Sequence, residues 1–485
     1  MRSDPHDAAR NHYPMLMNSD IQPLLDHLDA DHEHAVARMC ELLSIPSVST
    51  DPAYAEDVKR AASWHAADLE ALGFDTDVIA EGGHPVIVAR STDNMVENPA
   101  YGAPPRVLFY GHYDVQPPDP LDLWTDPPFE PTVRDGKVYA RGACDDKGQV
   151  MCFIEAVRAY LATGRKLPCH VTLLIEGEEE CGSVTLPAVL DKHTDLLTAD
   201  LCVISDTSMW QGKDGAKPAI TYALRGLAYF DLKLHGPSRD LHSGVYGGTL
   251  ANPATLLARV LGKLFDDDNR VTIPGFYDDV EALSDEERES WKQLGFDEQQ
   301  YLGDVGAKPF GEAGFTTLER RWARPSCDVN GLYGGYMGEG AKTVIPAFAG
   351  AKVSFRIPAH MDPRKLAEAF ETWVKSHDVG GCRWQITRHG EAYPVATPTD
   401  SPWVEAASKA IASVVGEPPA LMREGATIPV VADFKTKLGL DTLLIGFGLN
   451  SDAIHSPNEH FGLDRFLLGC KCHAALLAQL GQSKA

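Results

Sequence analysis

The sequence predicts an α/β fold, a mostly parallel sheet flanked by helices, with an α+β segment inserted into it. Three observations lead there. Apolar, strand-like runs alternate with runs of helical spacing, the pattern of βαβ units. Clusters of histidine and acidic residues follow where several of those runs stop, at the strand ends where such sheets carry their chemistry. Near Arg225-Gly226 the style changes to apolar–polar alternation, as in antiparallel strands with one wet face, and it returns to the first style after about Pro394.

Taken in order, Ile21 to Leu43 reads as a helix, with Leu24, Leu25, Leu28, Val36, Met39 and Leu42 at helical spacing. Arg106-Val-Leu-Phe-Tyr110 reads as a buried strand, Gly148 to Leu161 as a helix, and Pro168 to Ile175 and the run ending at Ser205 as further strands. In the inserted segment, Leu227 to Leu234 and Ala351 to Ile357 alternate as half-exposed strands, with a helical run from Asn252 to Phe265 between them. The acidic stretch Asp266 to Gly306 reads as a solvated excursion, with a helix opened by Ser284 and Glu287 in capping-box spacing. Thr442-Leu-Leu-Ile-Gly-Phe-Gly448 reads as a last buried strand.

Composition narrows the function. The chain of 485 residues is 44% hydrophobic, enough to build a full core and more than one domain. A formal charge of −25 with no basic cluster excludes nucleic acid as a partner, because phosphate binding draws on Lys and Arg. The N-terminus holds no unbroken apolar segment, so neither a secretory signal nor a membrane partner is expected, and the location expected is cytoplasmic. Ten scattered cysteines without a Cys-x-x-Cys pair suit reduced thiols. Cys470-Lys-Cys472-His473 lies in a helical run where residues two apart diverge, so packing is preferred there to a metal.

The polar clusters are Gly111-His112-Tyr113-Asp114, Asp145-Asp146-Lys147-Gly148 and Glu178-Glu179-Glu180. Residues two apart on a strand share a face, so Asp114 can accept the ring N–H of His112 and leave its other nitrogen for a metal. A metal hydrolase is the first expectation. Two divalent ions need a bridging carboxylate and water plus further His or carboxylate ligands. Asp145 can bridge, His112 with Asp206 can complete one ion and Glu180 with His455 the other, while Glu179 is spare to move a proton. Three carboxylates and a hydroxide would balance two dications.

The segments Gly111-His-Tyr-Asp114, Ala140-Arg-Gly-Ala-Cys-Asp-Asp-Lys-Gly148, Glu176-Gly-Glu-Glu-Glu-Cys-Gly-Ser183, Ser205-Asp206, Asp240-Leu-His-Ser-Gly-Val-Tyr-Gly-Gly248 and Ala453-Ile-His-Ser-Pro-Asn-Glu459 resemble, in order, the dinuclear-zinc metallopeptidase family of carnosinase, succinyl-diaminopimelate desuccinylase, glutamate carboxypeptidase and aminoacylase. Leu241 to Gly248 and Gly340 to Pro346 most resemble its cytosolic nonspecific dipeptidase and carnosinase branch. The resemblance implies a tail (1–20), a catalytic domain (21–225 and 395–485) and an inserted lid and dimerisation domain (226–394). It implies His112, Asp145 and Asp206 on one ion and Asp145, Glu180 and His455 on the other, zinc first, with manganese or cobalt as alternatives. Asp114 would orient His112, Glu179 would be the general base, and the Asp145–Asp146 peptide would be cis. His242 would serve the partner subunit of a homodimer, stabilising the oxyanion. Asn330, Thr343 and Arg356 would bind substrate, Arg356 pairing its planar fork with a terminal carboxylate, and so would Gly425 and Thr427 on the substrate-side loop, whose glycine lets the backbone approach the ligand.

The implied reaction is hydrolysis of dipeptides or short peptides next to a free C-terminal carboxylate, through a metal-bridging hydroxide and a glutamate base. An N-acyl or N-carbamoyl amino acid amidohydrolase, and a noncatalytic peptide-binding relative, are the alternatives.

Overall fold

A computed structural model of the chain describes residues 21–97 and 103–482. The tail expected over 1–20 lies outside them. A nine-stranded sheet forms the larger body. At its centre His170–Glu176, Arg106–His112, Leu201–Ile204 and Thr442–Leu444 run parallel, in that spatial order. Val86–Arg90 and then Asp75–Ile79 extend one side antiparallel, and Ala219–Leu224 extends the other, pairing with Val395–Ala396 and with Ala420–Glu424.

The central strands read as continuous apolar runs because both faces are covered. In Arg106–His112, Val107 and Phe109 enter one core with the helices Ala55–Ala71, Lys147–Ala162, Pro402–Val415 and Leu463–Leu480. Leu108 and Tyr110 enter a second core with Leu186–Lys192 and Pro429–Asp433. Phe109 stacks on Phe153 at 4.0 Å. Among the described residues no helix is long and apolar enough to cross a membrane.

A separate four-stranded antiparallel sheet, in the order Ser326–Gly334, Phe348–Ile357, Gly226–His235, Arg383–Ala392, forms the second body. Its alternation is the expected one: Ala228, Phe230, Leu232 and Leu234 are buried in a core with Pro253–Leu261 and Pro363–Lys375, while the residues between them face outward.

Three sequence expectations change. The first helix is two, Gln22–Ala30 and His32–Leu43, parted at Asp31, whose carboxylate accepts from His34 and Arg38. The last strand stops at Leu444, and the chain continues against Thr207 so closely that a Cβ on Gly446 would lie 1.9 Å from its carbonyl oxygen. The acidic excursion is not simply solvated. Its helix Asp285–Gln293 begins at Ser284, whose hydroxyl accepts from Glu287 N, but the Glu287 carboxylate does not return to Ser284. It accepts instead from Tyr222 and Arg423 of the large sheet. Trp291 from this helix packs with Trp322, Trp210 and Met422, so a few apolar side chains moor the excursion to the strand Ala420–Glu424.

Two predictions follow from these cores. Trp322→Ala should cost about 3–5 kcal/mol in chemical denaturation, against less than about 0.5 kcal/mol for Glu289→Ala on the wet face of the neighbouring helix. Burial also pushes the His65 and His473 rings down to about 3. Unfolded, each binds a proton near pH ~6.5 that the folded ring refuses, so stability falls as pH drops below ~6.5 and continues to fall towards ~3. His65→Leu should therefore lose less stability than the parent between pH ~7 and ~5, read from the urea midpoint at each pH.

Candidate metal centre

Four neighbouring elements converge at the carboxyl edge of the parallel strands. Arg106–His112 ends on His112, His170–Glu176 leads into Glu178-Glu179-Glu180, Leu201–Ile204 leads into Asp206, and Asp145 precedes the helix Lys147–Ala162. Adjacent parallel strands that stop together deliver these side chains to one place. His455 arrives from the far end of the chain, on a loop where Ala453, His455 and Asn458 all have left-handed backbone (φ 58°, 58° and 63°). The Asp145–Asp146 peptide is cis.

Two groups of potential ligands form, His112 with Asp145 and Asp206, and Asp145 with Glu180 and His455, each with its donor atoms within 4.8 Å of one another. Asp145 belongs to both. Its Oδ1 lies 3.2 Å from His112 Nε2 and its Oδ2 2.9 Å from His455 Nε2. His112 Nε2 also lies 3.8 Å from Asp206, and His455 Nε2 3.4 Å from Glu180.

The residues fit divalent cations on two observations. His112 Nε2 is buried and faces the carboxylates of Asp145 and Asp206 without a well-directed hydrogen bond among the described residues, an arrangement that suits a cation placed between them. The donors, imidazole nitrogen and carboxylate oxygen, are those of zinc and neighbouring transition metals. Charge points the same way. Burial, then the Asp145 carboxylate, holds Asp206 well above the usual range, and burial with Asp206 does the same to Asp146. Burial pushes Glu179 up to about 7. Hydrogen bonds to Asp145 and Glu180 raise His455 to about 10. A desolvated cluster this acidic draws in positive charge, and divalent ions supply it.

Asp114 does more than the two-apart spacing suggests. The strand ends before it, and His112 Nδ1 lies 3.0 Å from its carbonyl oxygen and 3.4 Å from its carboxylate. That carboxylate accepts from Glu179 N (3.2 Å) and Glu180 N (3.1 Å), so Asp114 seats both the histidine and the glutamate turn. Gln116 donates to Glu180 Oε2 at 2.8 Å.

Several carboxylates around these groups have no role of their own in the sequence reading. Glu178 accepts from His84 N, Thr185 N and Thr185 Oγ1 and is a brace rather than a ligand. Glu176, pushed up to about 8 by burial, takes hydrogen bonds from Tyr110 and Ser183. Asp146 accepts from His112 N, and Glu459 accepts from Arg141. Adjacency to a ligand was the only available signal for Asp146. Nothing in the sequence pairs Arg141 with Glu459, 318 residues apart.

The residues expected on the inserted segment stand apart from these groups. His242 is exposed, its Nδ1 accepting from Gly244 N within its own turn, and its strand pairs with Val344–Ile345 beside Thr343. Asn330 sits exposed at a bulge in Ser326–Gly334. Among the described residues no hydrogen bond or ion pair joins His242, Asn330 or Thr343 to the two groups. Arg356 bridges the bodies: its Nη1 donates to Thr427 Oγ1 (2.6 Å), and Thr427 donates to Arg225 O, while Arg225 Nε donates to Gly425 O.

Comparison with known proteins places the whole. Residues 108–479 match the peptidase family M20/M25/M40. The chain is 32% identical to the Cys-Gly metallodipeptidase DUG1 of Candida albicans, over 96% of this chain and 98% of that one. It is also 32% identical to the Beta-Ala-His dipeptidase of Homo sapiens, over 95% and 93% of the two chains. The crystal structure of the metallo-carboxypeptidase Sso-CP2 from Sulfolobus solfataricus superposes with a TM-score of 0.79 at 32% identity, covering 93% of this chain and 99% of that one. Matched through both bodies and along nearly its whole length, the chain belongs to the M20/M25/M40 peptidase family and is a metallopeptidase that binds divalent metal.

Proposed function

We propose that this metallopeptidase is a dipeptidase with two divalent ions, zinc first, that cleaves the amide bond of dipeptides or short peptides next to a free C-terminal carboxylate. The observation that carries the two-ion reading is the sharing of Asp145 between both ligand groups. The dipeptide reading is supported by the relatives named for Cys-Gly and Beta-Ala-His dipeptides.

His112, Asp145 and Asp206 would hold one ion and Asp145, Glu180 and His455 the other. Ions bound there would polarise the scissile carbonyl and favour deprotonation of water near neutral pH. Glu179, spare beside Glu180 and with its backbone fixed by Asp114, takes the proton of the attacking water and delivers it to the leaving nitrogen. Asp114 keeps His112 turned to the site. Among the described residues no carboxylate forms an ion pair with Arg356, and its fork suits the substrate's terminal carboxylate. Gly425 and Thr427 line the same junction, and Asn330 and Thr343 present polar groups on the lid.

His242 is assigned to the site of a second copy, where its ring would donate to the oxyanion. Its exposure supports this, as do the exposed apolar Leu332 on the edge strand Ser326–Gly334 and Val245 beside His242, a surface suited to homodimerisation.

Chelator-stripped protein reloaded with zinc, manganese or cobalt should release amino acids from free dipeptides but not from their N-acetylated forms. Turnover confined to N-acylated substrates would instead identify an amidohydrolase. Glu179→Gln should lose about 10²–10⁴-fold in kcat while its zinc content, measured by atomic absorption, stays at the parent level.

A further inference from the structure

Two ligands of the second group, Asp145 and His455, lie far apart in the chain, and the nine-stranded sheet does not pair their segments; the short strands Lys137–Tyr139 and His460–Gly462 pair beside them but leave the loops 141–145 and 453–458 outside the ladder. His112 and Asp206 stand at the ends of adjacent parallel strands, whereas His455 rides on an irregular loop. Three residues of that loop, Ala453, His455 and Asn458, occupy left-handed backbone that residues with a Cβ rarely adopt. Such a loop keeps its shape only when outside contacts hold it.

Asn458, bonded to Thr125 N and Leu123 O, and Asp452, paired with Arg465, hold the loop at its two ends, and Glu459, fully buried, makes the contacts to the Asp145 side. Its Oε1 accepts from Cys144 N (2.9 Å) and Asp145 N (3.1 Å). Its Oε2 accepts from Gly142 N (3.0 Å) and from Arg141 Nη1 (2.7 Å). Ala140 N donates to the Glu459 carbonyl (3.1 Å), and Arg141 also reaches Ser456 O at 3.4 Å, next to His455. One carboxylate thus wraps the loop 141–145 around itself and ties it to the loop that carries His455. A second strap works on the other side of Asp145, where Asp146 Oδ2 accepts from His112 N at 3.2 Å and joins Asp145 to the first histidine.

We infer that Glu459 is a positioning residue for the second ion: it sets the Asp145 peptide and the His455 loop at the separation that lets Asp145 Oδ2, His455 and Glu180 share one cation, while the first ion keeps His112 and Asp206, which stand at strand ends, and an Asp145 still tied to His112 through Asp146. This deepens the two-ion reading above and rests on it. Loss of such a support for a ligand typically weakens metal affinity about 10- to 100-fold.

The test is cobalt(II) titration of the full-length, chelator-stripped protein, followed by isothermal calorimetry and by the visible absorption of bound cobalt. The parent should bind two ions. Glu459→Gln should bind the first at parental affinity and the second about 10- to 100-fold more weakly, with thermal unfolding of the stripped protein still cooperative. If Glu459→Gln does not fold, Glu459→Asp, which keeps the charge opposite Arg141 but shortens its reach, should show the same selective loss. Two ions bound at parental affinity by the folded variant, or equal weakening of both, would overturn the inference. A parent that binds fewer than two ions would instead sink the two-ion reading itself.

Discussion

Desolvated negative charge at one edge of a sheet is the constraint from which the rest of this molecule follows. Asp114, Asp145, Asp146, Glu176, Glu179, Glu180, Asp206 and Glu459 crowd the carboxyl end of the parallel strands, most of them shielded from water. A buried carboxylate is tolerated only when hydrogen bonds or cations meet it. Asp114 and Glu459 are met by backbone N–H groups and Arg141, and Glu176 by hydroxyls. Among the described residues Asp145, Asp206, Glu180 and Glu179 share two histidines and the Gln116 amide, and on the proposed reading two dications supply the remainder.

The same constraint divides labour among chemically identical side chains. Four glutamates within five positions, Glu176 to Glu180, meet four environments. Glu176 is buried under Tyr110 and Ser183, Glu178 is turned back to brace the His84 and Thr185 backbones, Glu179 is pushed up to about 7, and Glu180 faces His455. Local sequence cannot make that distinction, because what separates them is the direction in which one turn, seated on Asp114, points each side chain. Where the two sheets meet a similar economy holds: Thr427 takes a hydrogen bond from Arg356 and gives one to the Arg225 carbonyl, so a strand of the four-stranded sheet, the loop after Ala420–Glu424 and the residue before Gly226–His235 meet at one hydroxyl.

Much of this was legible in the sequence. The parallel strands were visible because burial on both faces makes them continuously apolar, and the second sheet because burial on one face makes it alternate. His112, Asp145, Glu180, Asp206 and His455, which come together in two groups, stood out because polar residues there interrupt or end apolar runs. What stayed hidden depends on contacts between distant residues. The salt bridge between Arg141 and Glu459, and that between Asp452 and Arg465, join partners that only the folded chain selects. The excursion from Asp266 to Gly306 looked solvated because its acidic composition outweighs Trp291 and Phe296, yet those side chains decide where it docks. Asp31 and Gly446 altered element boundaries through one hydrogen-bonded carboxylate and one close backbone approach.

The central claim is that one carboxylate, Asp145, stands between two ions. Anomalous diffraction from crystals of the chelator-stripped protein soaked in zinc tests it directly. The account predicts two zinc peaks about 3.5–4 Å apart, flanking Asp145, with His112 and Asp206 at one and Glu180 and His455 at the other. A single peak, or two peaks that do not share Asp145, would contradict it.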